Sequence, residues 1–125
     1  MPHQQQPEEL AHSIEQLAST IETTIETLTI DHAVALSLLE GLRSGETVEA
    51  IVAKNQMATV RERLTDAVVE LEAARSHARS EMFRALMLEG HSIGQIARMW
   101  GISRQLASRI VRDHDNLADP LPSAM

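Results

Sequence analysis

The chain has 125 residues and a net charge of −7, enough for one domain or for a small domain with an oligomerisation arm. It contains no Cys, which excludes disulfides and zinc sites built from thiolates. One Trp, one Phe and no Tyr leave aliphatic side chains to fill a core, as packed helices allow. Because no apolar run approaches the length of a membrane span and the first residues are polar, we expect a cytoplasmic protein.

The net negative charge comes entirely from the first half of the chain. Residues 1–59 hold two basic and nine acidic residues, whereas residues 60–125 hold nine of each. Within the second half, the stretch from Gly90 to Arg112 carries four arginines and no acidic residue. Such a local basic stretch on an acidic protein is typical of a surface that binds a polyanion, although scattered surface arginines are the alternative.

The first sixty residues predict several helices. Residues 1–7 are expected to be a disordered start. From Glu8 the apolar residues recur three or four positions apart, which predicts an amphipathic helix. Asp31 is expected to cap a second helix, which Gly45 ends. The first apolar stripe consists of Leu10, Ile14, Leu17, Ile21, Ile25 and Leu28.

A long helix is predicted in the middle of the chain. Thr47 is placed to cap a short helical segment, and Asn55 to Thr59 is expected to be a break. From Val60 onward, large apolar residues alternate with alanines in a heptad-like seam, and the alanines allow a partner helix to approach closely. An intramolecular bundle and a dimer interface both explain this seam, and we predict a homodimer. The candidate interface residues are Leu10, Ile14, Leu17, Ile21, Leu28, Leu64 and Leu71.

The stretch EGHSIGQIARMWGISRQLASRIVR, Glu89 to Arg112, contains the signals for two short helices joined by a tight turn. Ser92, with Gln95 three residues later, predicts a capping box. Gly101 is placed in the turn, where the backbone needs a residue that tolerates positive φ. Ser103 is then positioned to cap the second helix.

The stretch from Met82 to Arg112 resembles the helix-turn-helix of bacterial DNA-binding proteins, such as transcriptional regulators, sigma-factor promoter readers and Hin-type recombinases. The resemblance rests on Ala97, where two helices cross closely, and on the run Gly101-Ile102-Ser103-Arg104-Gln105. Ala107 departs from the pattern, because this position more often holds Val or Ile. The resemblance implies that the second helix enters the major groove of DNA, and it leaves residues 1–81 unmatched.

Helical geometry predicts which residues of the last helix face DNA. At about 100° per residue its apolar residues occupy one arc, and Gln105, Ser108 and Arg112 point the opposite way. A recognition helix presents its N-terminal residues to base edges, and Arg and Gln form paired hydrogen bonds with guanine and adenine. The predicted base contacts are Arg104, Gln105, Ser108 and Arg109. The predicted phosphate contacts are Ser92, Arg98, Ser103 and Arg112.

The sequence thus predicts an all-α protein with a helical N-terminal dimerisation region (8–59), a long connecting helix (60–81), a helix-turn-helix (82–113) and a flexible tail (114–125). The predicted function is that of a bacterial transcriptional regulator that binds double-stranded DNA as a homodimer in the nucleoid. The alternatives are an architectural, nucleoid-associated DNA-binding protein and a protein-interaction module such as an antitoxin or a sigma-binding partner. The first alternative predicts little preference among DNA sequences, and the second predicts that residues 1–59 capture a protein.

Catalysis and metal binding are not expected. No two of the six histidines lie four residues apart on one helix, and no Cys accompanies them. Two pairs of glutamates, Glu70 with Glu72 and Glu8 with Glu9, have no neighbouring base that could act with them in catalysis. The chain also has no glycine-rich phosphate loop. We therefore expect no enzyme activity and no cofactor, and nothing in the residues points to a small-molecule effector.

Overall fold

The protein is all-helical in the computed structural model, which describes residues 2–118 and places side chains for residues 8–114. The described residues form five helices and no strand, which confirms the predicted all-α class. The helices are α1 (Pro2–Arg43), α2 (Val48–Lys54), α3 (Met57–Leu88), α4 (Ile93–Trp100) and α5 (Arg104–Ala118).

The first helix corrects two predictions. It begins at Pro2, so residues 2–7 are helical and the predicted disordered start is wrong for them. It also continues through Asp31, which was expected to cap a second helix. The Asp31 carboxylate instead accepts a hydrogen bond of 2.8 Å from Arg63 on α3. The Asp31 carboxylate thus has a guanidinium partner on another helix instead of the backbone N–H groups that a cap would bind.

The last helix corrects the predicted tail. A flexible segment was expected from residue 114, but α5 continues to Ala118 and His114 is buried. The reason is helical periodicity, because His114 lies four residues after the buried Ile110 and so faces the same side of α5. Residues 119–125, the rest of the predicted tail, lie outside the described residues, as does Met1.

The junctions around α2 follow the local signals. Thr47 caps this helix, since its hydroxyl accepts a 3.1 Å hydrogen bond from the Ala50 N–H. Asn55 and Gln56 separate α2 from α3, and Gln56 has a φ of 49°, which interrupts the helical backbone. The predicted break is therefore confirmed for Asn55 and Gln56 and wrong for residues 57–59, which belong to α3. The long helix extends beyond its predicted limits at both ends.

The chain divides into two compact units. Residues 17–73 form one, here called the hairpin unit, and of the described residues 2–16 with 74–118 form the other, here called the head unit. Within the hairpin unit, α1 and α3 bury small or polar side chains, among them Thr24, Thr27 and Ala67. Ile51 of α2 is the large buried residue of this unit.

The core of the head unit is built from α3, α4 and α5. Its fully or almost fully buried members are Phe83, Ile96, Ala97, Ala107 and Ile110. The chain's one Phe and one Trp meet here, with Trp100 edge-on to Phe83 and a distance of 4.8 Å between ring centroids. Six partly buried hydrophobic residues pack around this cluster, namely Leu86, Ile93, Trp100, Ile102, Leu106 and Val111.

Candidate nucleic-acid interface

The start of α4 is fixed by the predicted capping box. The Gln95 N–H donates to the Ser92 hydroxyl oxygen at 3.2 Å, and the Ser92 N–H donates to Gln95 Oε1 at 2.8 Å. These two bonds satisfy backbone donors that the first turn of a helix otherwise leaves free. The capping-box prediction is confirmed, and the orientation of α4 is set from its first residue.

The turn between α4 and α5 depends on Gly101. This residue adopts a left-handed conformation with φ 69° and ψ 35°, which an L side chain rarely tolerates. The Ile102 N–H then donates back to the Ala97 carbonyl at 3.0 Å, which closes the end of α4. Ser103 starts α5 at once, because its hydroxyl accepts a 3.0 Å bond from the Leu106 N–H.

Both α4 and α5 bury an alanine in the core of the head unit. Ala97 is 4% exposed and Ala107 is fully buried, and both belong to the same core cluster. Small side chains at such a crossing let the two helices approach closely. Ala107, the departure from the family pattern, has the partly buried Leu106 beside it, which packs against the same cluster.

The outer face of α5 carries the predicted base contacts. Arg104, Gln105 and Arg109 are exposed, and Ser108 is half-buried between them. The first turn of α5 contains no acidic residue. Within the described residues, none of the three side chains in exposed positions has a hydrogen bond or ion pair, so their donors are available for a ligand. The structure thus places all four predicted residues on the outer side of one helix.

The predicted phosphate contacts are divided between α4 and α5 and their N-terminal caps. Arg98 on α4 and Arg112 on α5 are exposed and make no ion pair within the described part of the chain. Arg98 borders an open hollow of about 410 Å³, together with His91, Gln95 and Met99. Ser92 and Ser103 use an oxygen lone pair for helix capping, which leaves each hydroxyl proton free to donate to a phosphate.

Sequence analysis missed a buried pair that joins α5 to α3. His114 Nε2 lies 3.4 Å from Glu81 Oε1, and both residues are less than a tenth exposed. The pair was missed because His114 was assigned to the flexible tail. A usable signal was present, since Ala107, Ile110 and His114 are spaced as one face of a helix.

The predicted dimer-interface residues fall into two groups in the single chain. Leu10, Leu17 and Leu71 are half-buried. The others are exposed large hydrophobic residues, with exposed fractions of 37% to 51%. These are Ile14, Ile21, Leu28 and Leu64.

Other kinds of site are not formed by the described residues. Among them, no group of three or more His, Asp or Glu side chains is placed to hold a metal ion. None of the described helices combines the length and the hydropathy that crossing a membrane requires. Comparison of the chain with protein-family models, curated proteins and solved structures finds no match.

Proposed function

We propose that the protein is a sequence-specific transcriptional regulator that binds double-stranded DNA with α5 in the major groove. The observation that carries the proposal is the outer face of α5, where exposed Arg104, Gln105 and Arg109 have no partner within the described residues. Side chains of this kind form paired hydrogen bonds with guanine and adenine edges. The buried alanines beneath this face hold the helix on a rigid support.

Electrostatics supports the same ligand. The four arginines between Gly90 and Arg112 have no acidic residue among them, although the whole chain carries a net charge of −7. A phosphate backbone offers one negative charge per strand about every 3.4 Å, so a cluster of free guanidinium groups fits it. The first turns of α4 and α5 are also free of acidic residues, which leaves the positive ends of both helices unopposed.

We further propose that the regulator acts as a homodimer. A single small head has few contacts with DNA, and two heads on one dimer add their binding free energies. The exposed large hydrophobic residues of the hairpin unit support this part of the proposal, because a soluble monomer rarely leaves so many uncovered.

Selection of bound duplexes from a random DNA pool tests the function. We expect one enriched sequence motif, bound at least about a thousandfold more tightly than scrambled DNA at the same salt concentration. Arg109→Ala should weaken this binding, whereas Arg43→Ala, at an exposed arginine in the last turn of α1, serves as the matched control. Tight binding without a preferred motif would favour the architectural alternative. Absence of DNA binding would favour the protein-interaction module.

A further inference from the structure

Two parallel stripes run along α1 in the hairpin unit. Positions in the first stripe are buried or half-buried and are mostly small or polar. These positions are Thr20, Thr24, Thr27, Asp31, Val34, Leu38 and Gly41. The second stripe lies one residue further along at every step, and all of its positions are exposed. These are Ile21, Ile25, Leu28, His32, Ala35, Leu39 and Leu42.

The pattern is the reverse of an ordinary two-helix contact. Steps of three and four residues keep a stripe on one side of a helix, so both stripes are continuous faces about 100° apart. The face turned toward α3 holds threonines and the Asp31–Arg63 pair, whereas the larger hydrophobic residues are left in solvent. Ile25 is 56% exposed and Leu28 is 51% exposed in the single chain. The second stripe is therefore an apolar surface that the rest of the described chain leaves uncovered.

The third helix repeats this offset. Arg63 and Ala67 are half-buried and buried, and the residues that follow them, Leu64 and Val68, are 37% and 55% exposed. Val68 is thus an exposed hydrophobic residue directly after the buried Ala67. Leu64 and Val68 of α3 thus come one residue after positions in contact, as the second stripe of α1 does, whereas the corresponding positions after Val60 and Leu71 hold the charged Arg61 and Glu72.

A polar groove shows that the two exposed apolar stripes lie on the same side of the hairpin unit. Three contact residues, Thr27, Arg63 and Ala67, form the floor of the groove. Its other lining residues each come one position before a contact residue, namely Thr23 on α1 and Thr59, Glu62, Asp66 and Glu70 on α3. In an antiparallel pair, the residues that come one position before a contact residue lie on the same side of both helices. The residues that come one position after a contact residue then lie on the opposite side of both helices. One side of the unit is therefore acidic and lined by hydroxyl groups, and the opposite side, here called the apolar side, is apolar along α1 and at Leu64 and Val68, with Arg61 and Glu72 at the ends of its α3 part.

We infer that the apolar side of the hairpin unit, formed by the second stripe of α1 with Leu64 and Val68, binds the same side of a second copy of this chain. The stripe on α1 contains no Asp, Glu, Lys or Arg. On α3 the apolar part of this side, Leu64 and Val68, lies between Arg61 and Glu72. A side that is apolar at its centre and uncharged along α1 is complementary to itself in a two-fold dimer, and it lets two chains of net charge −7 associate with their charged groups at the edge. A basic partner protein would instead require carboxylates at the centre of this side.

The available area is sufficient for such a dimer. Seven half-exposed Ile, Leu and Val side chains offer about 600 Å² per chain, so a dimer would bury about 1,200 Å², within the range of specific interfaces. Apolar surface on two helices from each chain would then form the centre of a four-helix bundle. The inference rests on the homodimer part of the proposed function and adds the surface through which the two chains associate. It does not depend on DNA binding.

Sedimentation equilibrium of the full chain at micromolar concentration tests the inference. The wild-type protein should have about twice the 13.8 kDa mass of one chain. Ile25→Glu and Val68→Glu should each reduce this to the mass of one chain, because each would bury a carboxylate in the interface. Matched controls come from the same helices, since Ile30 is 50% exposed and Val69 is 62% exposed. Ile30 lies about 140° around α1 from Ile25, so Ile30→Glu and Val69→Glu should remain dimers.

Circular dichroism of all four variants separates dissociation from unfolding, and each should keep the helical content of the wild type. A monomeric wild-type chain would overturn the inference and leave the face for another protein. Dimers that survive both face substitutions, or that dissociate equally with the control substitutions, would also overturn it. Because no DNA is present, failure here leaves DNA recognition by α5 untouched. Conversely, a stable dimer that binds no DNA would refute only the proposed function.

Discussion

His114 Nε2 lies 3.4 Å from Glu81 Oε1, and this pair ties the C-terminal part of α5 to α3 within the head unit. Glu81 is 7% exposed and His114 is 8% exposed, so water screens the pair little. The second carboxylate oxygen of Glu81 and Nε2 of His114 both lack a hydrogen-bond partner within the described residues, so the two groups lie in contact without a formed hydrogen bond. A buried carboxylate with so few partners depends on the imidazole beside it.

Removing one member of this pair should therefore cost more than removing both. His114→Ala is expected to lower the free energy of unfolding by about 1–3 kcal/mol, because Glu81 would then lack its buried partner. The double variant with Glu81→Leu should recover part of that loss, since no buried charge remains. Urea unfolding of the wild type, both single variants and the double variant gives the coupling energy. Strict additivity of the two single effects would show that the pair contributes nothing.

The contact between α4 and α5 predicts a second stability effect. Ala97→Leu should overpack the crossing beside Ala107 and lower the free energy of unfolding by about 1–3 kcal/mol. DNA binding should be lost with it, because α5 would shift on its support. Ala73→Leu is the matched control, since Ala73 is an exposed helical residue. Thermal unfolding that is equal for both variants would show that the crossing has room for larger side chains.

Local signals were sufficient for most helix ends. Thr47 and Ser92 accept hydrogen bonds from residues three positions later, and Gly101 takes the positive φ that its place in the turn predicts. These features depend on a few neighbouring residues, so a short stretch of sequence determines them. The same holds for the outer face of α5, where helical periodicity alone places Arg104 and Gln105 in solvent.

Features that depend on distant residues could not be predicted in this way. Asp31 is a residue type that favours helix N-caps, but it lies within α1 and pairs with Arg63, 32 positions away. The apolar stripe of α1 was similarly ambiguous. The sequence does not distinguish Leu17, half-buried in the single chain, from Ile21, which is 42% exposed, because both are aliphatic and recur at helical spacing. The usual rule that apolar residues point inward does not apply to α1, because its polar stripe faces α3.

DNA affinity should depend strongly on salt. If each head neutralises three or four phosphates, a dimer should show a slope of about −5 to −7 in a plot of log K against log salt concentration. Fluorescence anisotropy with a labelled duplex at several salt concentrations measures this slope. Arg98→Ala should make it shallower, because Arg98 is exposed and free of partners among the described residues. A slope near zero would show that the arginine face is not the surface that binds DNA.

Substitutions along α5 should separate base recognition from phosphate binding. Arg104→Ala and Gln105→Ala should leave thermal stability unchanged, because both side chains are exposed. Each should weaken binding to the selected site by about 1–3 kcal/mol, with a smaller loss on random DNA. Arg112→Ala should instead weaken binding to every sequence about equally, because a phosphate contact carries no sequence information. Competition titrations with selected and scrambled duplexes at one salt concentration measure both effects. Equal losses on both duplexes for all three variants would show that α5 does not contact base edges, and DNA binding would then be architectural.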